Sequence, residues 1–467
     1  MNEPAAISTE LLLRYDQPGP RYTSYPTAPV WTEDFGEREW REALARANRR
    51  SAAPFSLYVH IPFCRSMCFY CGCNVVVTQR EEKAREYVDV MLKEVALLAE
   101  ALPDRRTLKQ HHWGGGTPTY LPPEEIVRLY RGIEARFPPA GDAEISIEVD
   151  PRVTTFDHLE ALHHLGFRRI SMGVQDFTPK VQQAIHRVQS RELTKSLVDE
   201  ARRVGFTSVN VDLVYGLPHQ EPETFGETIE TILDWKIDRI ACYSYAHVPW
   251  LKKHQRALPE EALPGREEKF ALLALALETF GRAGYEMIGF DHFARAEDDL
   301  AWAAREGKLH RNFMGYSTRM EAGREGEDML MLGVTSIGEV AGAFGQNPKE
   351  RRDWAGAISE GRLPVHRGHR RNAEDEERRR IILDIMCDYR VEFANFEAEG
   401  RPPFRERYAK ALRSLEPLVE DGLLELGDEA LVVTPKGRVF LRNICMPFDA
   451  YLEKQRAEGR PMFSRTV

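Results

Sequence analysis

The sequence predicts an α/β fold built on a largely parallel sheet. From about residue 56, short apolar runs alternate with longer amphipathic segments, and six such runs can be counted. This alternation marks βαβ units, since a parallel strand needs a helical crossover to rejoin its sheet. The residues that could carry chemistry follow the apolar runs directly, at the carboxyl ends of the strands, where α/β proteins place their sites. Six units suit either a doubly wound sheet or a partial barrel.

The chain opens with "MNEPAAISTELLLRYDQPGPRYTSYPTAP". It has no basic n-region and only a three-leucine apolar run, so it does not read as a signal peptide. Residues 1–54 form an N-terminal segment ahead of the repeating pattern. The strand runs are then "SLYVHI", "KQHHW", "AEISIEVD", "RRISMGV", "SVNVDLVYG" and "DRIACYSY". Between them, "LTKSLVDEARRV" places Leu193, Leu197, Ala201 and Val204 at helical spacing on one face. The long helix "REEKFALLALALETFGRAG" is ended by Gly284. This unit runs over 55–360.

Residues 361–467 have a different texture and predict a mainly helical domain. "NAEDEERRRIILDIMCDYR" is a charged amphipathic helix, and a second helix lies around "RYAKALRSLEPLVEDG". The turn "GDEA" between two apolar runs reads as a wing-like hairpin. A winged helix would raise the question of DNA, but the domain lacks a concentrated basic face. The net charge of -9 also gives nucleic acid or an anionic membrane nothing global to bind. No apolar stretch approaches the roughly 20 residues of a membrane helix. Seven cysteines without framework spacing predict reduced thiols and a cytoplasmic location.

Four of those cysteines fall in "HIPFCRSMCFYCGCN": Cys64, Cys68, Cys71 and Cys73. A zinc knuckle would want a second pair at similar spacing, although His60 could serve as a fourth ligand. A redox CxxC is present as "CFYC", but it precedes no helix start. The spacing C-x3-C-x2-C fits an iron–sulfur cluster better. Three thiolates of one loop can hold three irons of a four-iron cluster and leave the fourth open. "HWGGGTPTYL" adds a glycine triplet at the next strand end, read as a tight turn or as backbone offering exposed N–H groups to a ligand. "SIEVDP" puts Glu148 at the strand end after that, where a carboxylate could accept ribose hydroxyls.

The cysteine spacing, with an aromatic just before the third cysteine, resembles the radical S-adenosylmethionine (SAM) superfamily. There, SAM chelates the open iron and is split into methionine and a 5′-deoxyadenosyl radical. The likeness narrows further. "PGPRYTSYPTAP", "YVHIPFC", "CGCN", "HWGGGTPTYL", "EISIEVDPR", "SMGVQDF", "DLVYGLP", "YAHVP", "DHFAR", "LHRNFMGY" and "GRVFLRNICMPFD" resemble the oxygen-independent coproporphyrinogen III oxidases of bacterial haem synthesis. The matches run from about Arg14 to the C-terminus.

That resemblance implies a partial (β/α)6 barrel of the TIM-like radical SAM type, with N-terminal and C-terminal elements closing over the active site. It implies conversion of two propionates of coproporphyrinogen III to vinyl groups, with an electron donor and an acceptor of unidentified kind, in a monomeric enzyme. The cofactors implied are a 4Fe-4S cluster on Cys64, Cys68 and Cys71 and two SAM molecules. Carried over position by position, the SAM on the cluster would meet Tyr58, Gly115, Glu148 and Ile337. The second would meet Tyr70, Gly116, Thr117, Gln175, Arg187, Asp212 and Ala246. Tyr58 and Cys73 are assigned to the catalytic site, with Cys73 positioning the second SAM or the substrate rather than ligating the cluster. Arg21, Arg295 and Arg311 are candidates for the substrate carboxylates.

Two departures stand out. Tyr70 is often phenylalanine in the family. "STRMEAGREGEDML" after Tyr316 is longer and more charged than expected, and reads as a surface insertion. The alternatives are a radical SAM enzyme for another carboxylate substrate, or a haem chaperone of related sequence. Such chaperones carry phenylalanine where this chain has Cys73.

Overall fold

The computed structural model describes residues 7–320, 327–457 and 463–466. Each apolar run is a strand: β1 (Phe55–Ile61), β2 (Leu108–Gly115), β3 (Pro139–Val149), β4 (Arg169–Gln175), β5 (Ser208–Tyr215) and β6 (Arg239–Ser244). They lie side by side in chain order, each parallel to the next. The period of two within each run decides the layering. In β1, Leu57, Val59 and Ile61 are fully buried on the outer face, while Ser56, Tyr58 and His60 turn to the other side. In β2 the outer face carries His111 and Trp113, which pack with Tyr130 and Phe167. Each such large apolar side chain contributes about 1.5–3 kcal/mol on full burial.

The crossovers are helices, among them α1 (Glu82–Ala101), α2 (Pro123–Glu134), α3 (Phe156–His164), α4 (Arg191–Val204), α5 (Pro222–Asp234) and α6 (Arg266–Arg282). Helix α4 begins on Ser190, whose side chain accepts from the Leu193 amide, and ends at Gly205 with φ +110°. Its buried face is Thr194, Leu197, Val198 and Ala201, whereas Leu193 is exposed. The expected stripe was therefore rotated: Leu197 and Ala201 face inward, and a threonine takes the place given to Leu193. Helix α6 ends as expected, just before Gly284 at φ +82°.

The sheet continues past both edges of the six. β7 (Tyr285–Ile288) pairs with β8 (His292–Arg295), which pairs antiparallel with β6. On the other flank, β9 (Met329–Leu332) lies parallel to β1, followed by β10 (Ile337–Val340), β11 (Ala343–Gln346) and β12 (Arg367–Arg370) in antiparallel order. β9 corrects the reading of "STRMEAGREGEDML". Residues 321–326 lie outside the described residues, but Asp328 is buried and Met329–Leu332 form a seventh parallel strand. The acidic residues just before the strand hid it. The sheet wraps a cavity of about 110 Å³ lined by β2 to β6, His292, and Met314 to Ser317, which makes the architecture a partial barrel.

The N-terminal segment threads between barrel and C-terminal elements. Arg442 donates to the Pro20 carbonyl at 2.9 Å, and Arg21 reaches the Ser244 carbonyl at the end of β6 at 3.3 Å. Beyond the barrel, a helix at Ala373–Leu383 is followed by a three-stranded sheet of Arg390–Glu392, Leu424–Leu426 and Ala430–Val433. The last two strands form the expected hairpin. The expected second helix is split into Ala409–Ser414 and Glu416–Glu420, since Pro417 cannot continue the hydrogen-bond ladder.

Candidate active site

The inward positions of the strands are polar, unlike the branched apolar layers that usually fill a TIM barrel. Gln110 and His112 of β2, Ser146 and Glu148 of β3, Ser171 of β4, Asn210 and Asp212 of β5, and Tyr243 of β6 all line the cavity. A lumen of this kind is built to hold a polar ligand.

Beyond the carboxyl end of β1 sits the cysteine loop, at the end of the sheet where the parallel strands finish. Cys64, Cys68 and Cys71 are half-buried and Cys73 is exposed. Two segments at strand ends brace the loop. The Phe69 amide donates to the Ile185 carbonyl at 3.0 Å, and His186 stacks on Phe69 with centroids 4.9 Å apart. From the other side, His254 Nε2 bonds the Cys71 carbonyl at 2.7 Å, Lys252 donates to the Cys73 carbonyl at 3.1 Å, and Gln255 donates to the Tyr70 carbonyl at 3.1 Å. Gln255 also donates to the Ala246 carbonyl at 3.2 Å, so one buried amide joins Tyr70 and Ala246.

The thiols differ in surroundings. Cys64 has the Thr117 hydroxyl at 3.7 Å, and burial pushes its thiol up to about 12. Cys71 accepts from the Cys73 amide at 3.4 Å. Cys68 faces two guanidiniums, Arg152 Nη2 at 3.5 Å and Arg187 Nη1 at 3.7 Å. Among the described residues, no three His, Cys, Asp or Glu side chains converge as a single metal ion requires. His60 is spoken for: one ring nitrogen meets the Tyr58 hydroxyl at 3.0 Å and the other the Asn74 carbonyl at 3.2 Å. Burial holds it well down, at about 4. The zinc alternative therefore loses its fourth ligand. A four-iron cluster presents separate irons to separate thiols, and three half-buried cysteines on one loop with charged donors beside a sulfur suit it.

The glycine triplet serves shape rather than donation. The amides of Gly115, Gly116 and Thr117 go to Glu148 Oε2, the Ile61 carbonyl and the Phe63 carbonyl. The expectation of exposed N–H groups is thus corrected. Gly115 sits at φ +113°, and a Cβ on Gly116 would stand 2.6 Å from the Pro62 carbonyl oxygen. Glycine here lets β2 press against the start of the cysteine loop.

Two carboxylates mark the lumen. Glu148 meets His112 Nε2 at 3.3 Å, and although burial pushes it upward, His112 and the Gly115 amide hold it below its ordinary value. Asp212 accepts from Asn210 at 2.9 Å and from the Ser171 hydroxyl at 3.2 Å. Burial, then the charge of Glu148, raises it to about 6. Gln175 ends β4 at φ +69°. Arg187 donates to the Gly173 carbonyl at 2.7 Å and to Asp150 at 3.0 Å, and its buried Nε has no partner among the described residues. Ile337 opens β10 after the turn that leaves β9, at the same end of the sheet as the cysteine loop.

Of the three arginines offered for substrate, Arg21 and Arg311 meet, with Arg311 donating to the Arg21 carbonyl at 3.2 Å. Arg21 also lies 3.7 Å from Asp291, whose other oxygen meets His292 at 2.7 Å. Arg295 does not join them. Its amide bonds the Asp238 carbonyl, just before β6 starts, at the opposite end of the barrel. Sequence reasoning also missed Asp150 and Arg152. Their signal was the "DPR" that follows β3.

A polar partial barrel with a three-cysteine loop after its first strand defines a radical SAM protein, and the Radical SAM superfamily profile matches residues 58–232. A second profile, the HemN C-terminal domain, matches residues 372–440. Full-length relatives carry the assignment further. The chain is 42% identical to the oxygen-independent coproporphyrinogen III oxidase of Escherichia coli K12 over 98% of both chains. It is 41% identical to that of Synechocystis over 99% of this chain and 98% of the other, and 40% identical to that of Helicobacter pylori over 99% of each. The solved structure of the Escherichia coli coproporphyrinogen III oxidase superposes with a TM-score of 0.87, covering 92% of this chain and 97% of that one. The chain belongs to the oxygen-independent coproporphyrinogen III oxidase family.

Proposed function

We propose that this chain converts two propionate side chains of coproporphyrinogen III to vinyl groups without oxygen, yielding protoporphyrinogen IX in haem biosynthesis. The observation that carries the reading is a cysteine loop at the carboxyl end of the parallel strands of a barrel with a polar lumen, in a chain alike over 98% of its length to an enzyme of that name. From each propionate a β-hydrogen, carbon dioxide and one electron depart. An unactivated C–H bond offers a protein base nothing to deprotonate, so acid–base chemistry alone cannot start the reaction. When bound, the 4Fe-4S cluster supplies the electron that splits SAM and so provides the hydrogen-abstracting radical. Electron donor and acceptor are separate partners of the chain.

The side chains divide the remaining work. Cys64, Cys68 and Cys71 hold the cluster. Tyr58, Gly115, Glu148 and Ile337 hold the SAM that reacts there, with Glu148 accepting from ribose hydroxyls. A second SAM is held by Tyr70, Gly116, Thr117, Gln175, Arg187, Asp212 and Ala246. The unpartnered Nε of Arg187 supports a ligand carboxylate there, and the Gln255 bridge between Tyr70 and Ala246 supports their common use. Cys73 orients the second SAM or the substrate. Residues 1–54 close over the barrel that spans 55–360, in a cytoplasmic monomer; Arg21 at the end of β6 supports the closure.

The test is anaerobic reconstitution, then assay with coproporphyrinogen III, SAM and a reductant. Vinyl product is expected from the wild type and none from Cys68→Ala. A Cys68→Ala protein that holds a full cluster and cleaves SAM would falsify the ligand assignment.

A further inference from the structure

Hydrogen-bond donors are shared unequally among the three thiols. Cys64 meets one neutral hydroxyl and Cys71 the amide and thiol of Cys73, while Cys68 receives N–H groups from two cations. Both cations are aimed by one carboxylate. Asp150 Oδ2 accepts from Arg152 Nη2 at 2.6 Å and from Arg187 Nη1 at 3.0 Å, and Oδ1 accepts from the Arg152 Nε and amide, each at 3.0 Å. Burial alone would push Asp150 up; Arg187, then Arg152, hold it at about 2, so it stays an anion. Two guanidiniums against one carboxylate leave a net positive charge beside one sulfur.

The two arginines are not equivalent. Arg187 also holds the Gly173 carbonyl and borders the lumen beside Gln175. The side-chain hydrogen bonds of Arg152 go to Asp150 and Cys68 alone among the described residues. With a single carboxylate and a single sulfur as its partners, the Arg152 side chain is committed to Cys68. Its charge acts on whatever Cys68 carries.

We propose that Arg152 is a positioning residue for the cluster. Held by Asp150, it donates to the Cys68 sulfur and raises the reduction potential, so that the cluster accepts its electron more readily. A cation and an N–H···S bond draw electron density from the sulfur and favour the state with the extra electron, as hydrogen bonds to cluster sulfurs do generally. The inference rests on Cys68 being a cluster ligand.

The test is a redox titration followed by electron paramagnetic resonance on anaerobically reconstituted protein, with iron and sulfide analysed on the same samples. Arg152→Gln is expected to keep wild-type iron and sulfide and to shift the midpoint to a more negative potential. Arg152→Lys, which keeps the charge but not the planar fork, should fall between the two. An Arg152→Gln cluster titrating at the wild-type potential overturns the proposal. If Arg152→Gln does not retain its cluster, Arg152→Lys decides, and a wild-type midpoint there overturns it. A wild-type protein that holds no four-iron cluster would instead show the ligand reading itself to be wrong, which iron analysis reports separately from the potential.

Discussion

Gly115 leaves the ring of His60 its only room: a Cβ built on Gly115 would stand 2.5 Å from His60 Cε1. His60 in turn links the Tyr58 hydroxyl to the Asn74 carbonyl, so the contact joins the floor of the lumen to the end of the cysteine loop. Gly115→Ala should therefore act twice, through the strain of φ +113° and through displacement of the ring. A loss of roughly 2–4 kcal/mol is expected from a side chain at positive φ combined with overpacking. Denaturant unfolding of the variant measures it, and iron content after reconstitution should fall with it. Wild-type stability would show that the ring can move aside without consequence.

Arg105 and Asp328 form an ion pair at 2.5 Å, with the arginine side chain wholly buried. Arg105 also donates to the carbonyls of Ala53 and Pro54, both at 2.6 Å, and Asp328 caps the Ala341 amide at 2.7 Å. The pair thus ties the start of β1 to the start of β9. Arg105→Ala leaves the buried Asp328 carboxylate with the more distant Arg50, at 3.8 Å, as its cation and frees the Ala53 and Pro54 carbonyls, and should cost about 3 kcal/mol. A midpoint shift in urea reads the loss directly. A change of under about 1 kcal/mol would mean that water replaces the guanidinium.

The same pair explains what the sequence could and could not reveal. The six parallel strands were legible because Leu57, Val59 and Ile61, or His111 and Trp113, alternate with lumen residues in runs free of competing signals. β9 was not legible: four residues long and buried throughout, it has no alternation, and Glu327 and Asp328 precede it. The partners in space, Arg105 and Arg50, make sense of the acid. The site shows the same division. Four thiols in ten residues announce themselves. The cations that face Cys68 come from 84 and 119 residues away, and no local pattern marks them. Arg295 was misplaced for a related reason, since β8 runs antiparallel to β6 and carries its last residue to the far end of the barrel.

Cys73 lies on the same loop as the three proposed cluster ligands, two residues past Cys71. Its amide donates to Cys71 and its carbonyl is held by Lys252. Cys73→Ser keeps the backbone contacts and changes only the thiol. Iron and sulfide should stay near wild type while vinyl product falls at least tenfold. Loss of the cluster would make Cys73 a ligand, and unimpaired turnover would make it packing.

Asp212 carries a stability cost that pH reveals. Its carboxyl titrates near 6 in the folded chain against an ordinary 3.8, because burial and then Glu148 disfavour the anion. Between those values the native state binds more protons than the unfolded one. Stability contributed by this group is therefore greatest below about pH 4 and is lost as pH rises toward 6. A difference of about two units corresponds to roughly 3 kcal/mol. Asp212→Asn removes the titration while keeping a polar group beside Asn210 and Ser171. In the cluster-free protein it should match wild type near pH 4 and exceed it at pH 8 by up to that amount, as urea midpoints at the two values would show. The gain should come with impaired SAM binding, since an amide offers ribose hydroxyls one acceptor where the carboxylate offers two. Functional sites commonly hold such unfavourable charges. A variant less stable than wild type at pH 8 would mean that the anion is held favourably after all, and that Asn210 and Ser171 outweigh its burial.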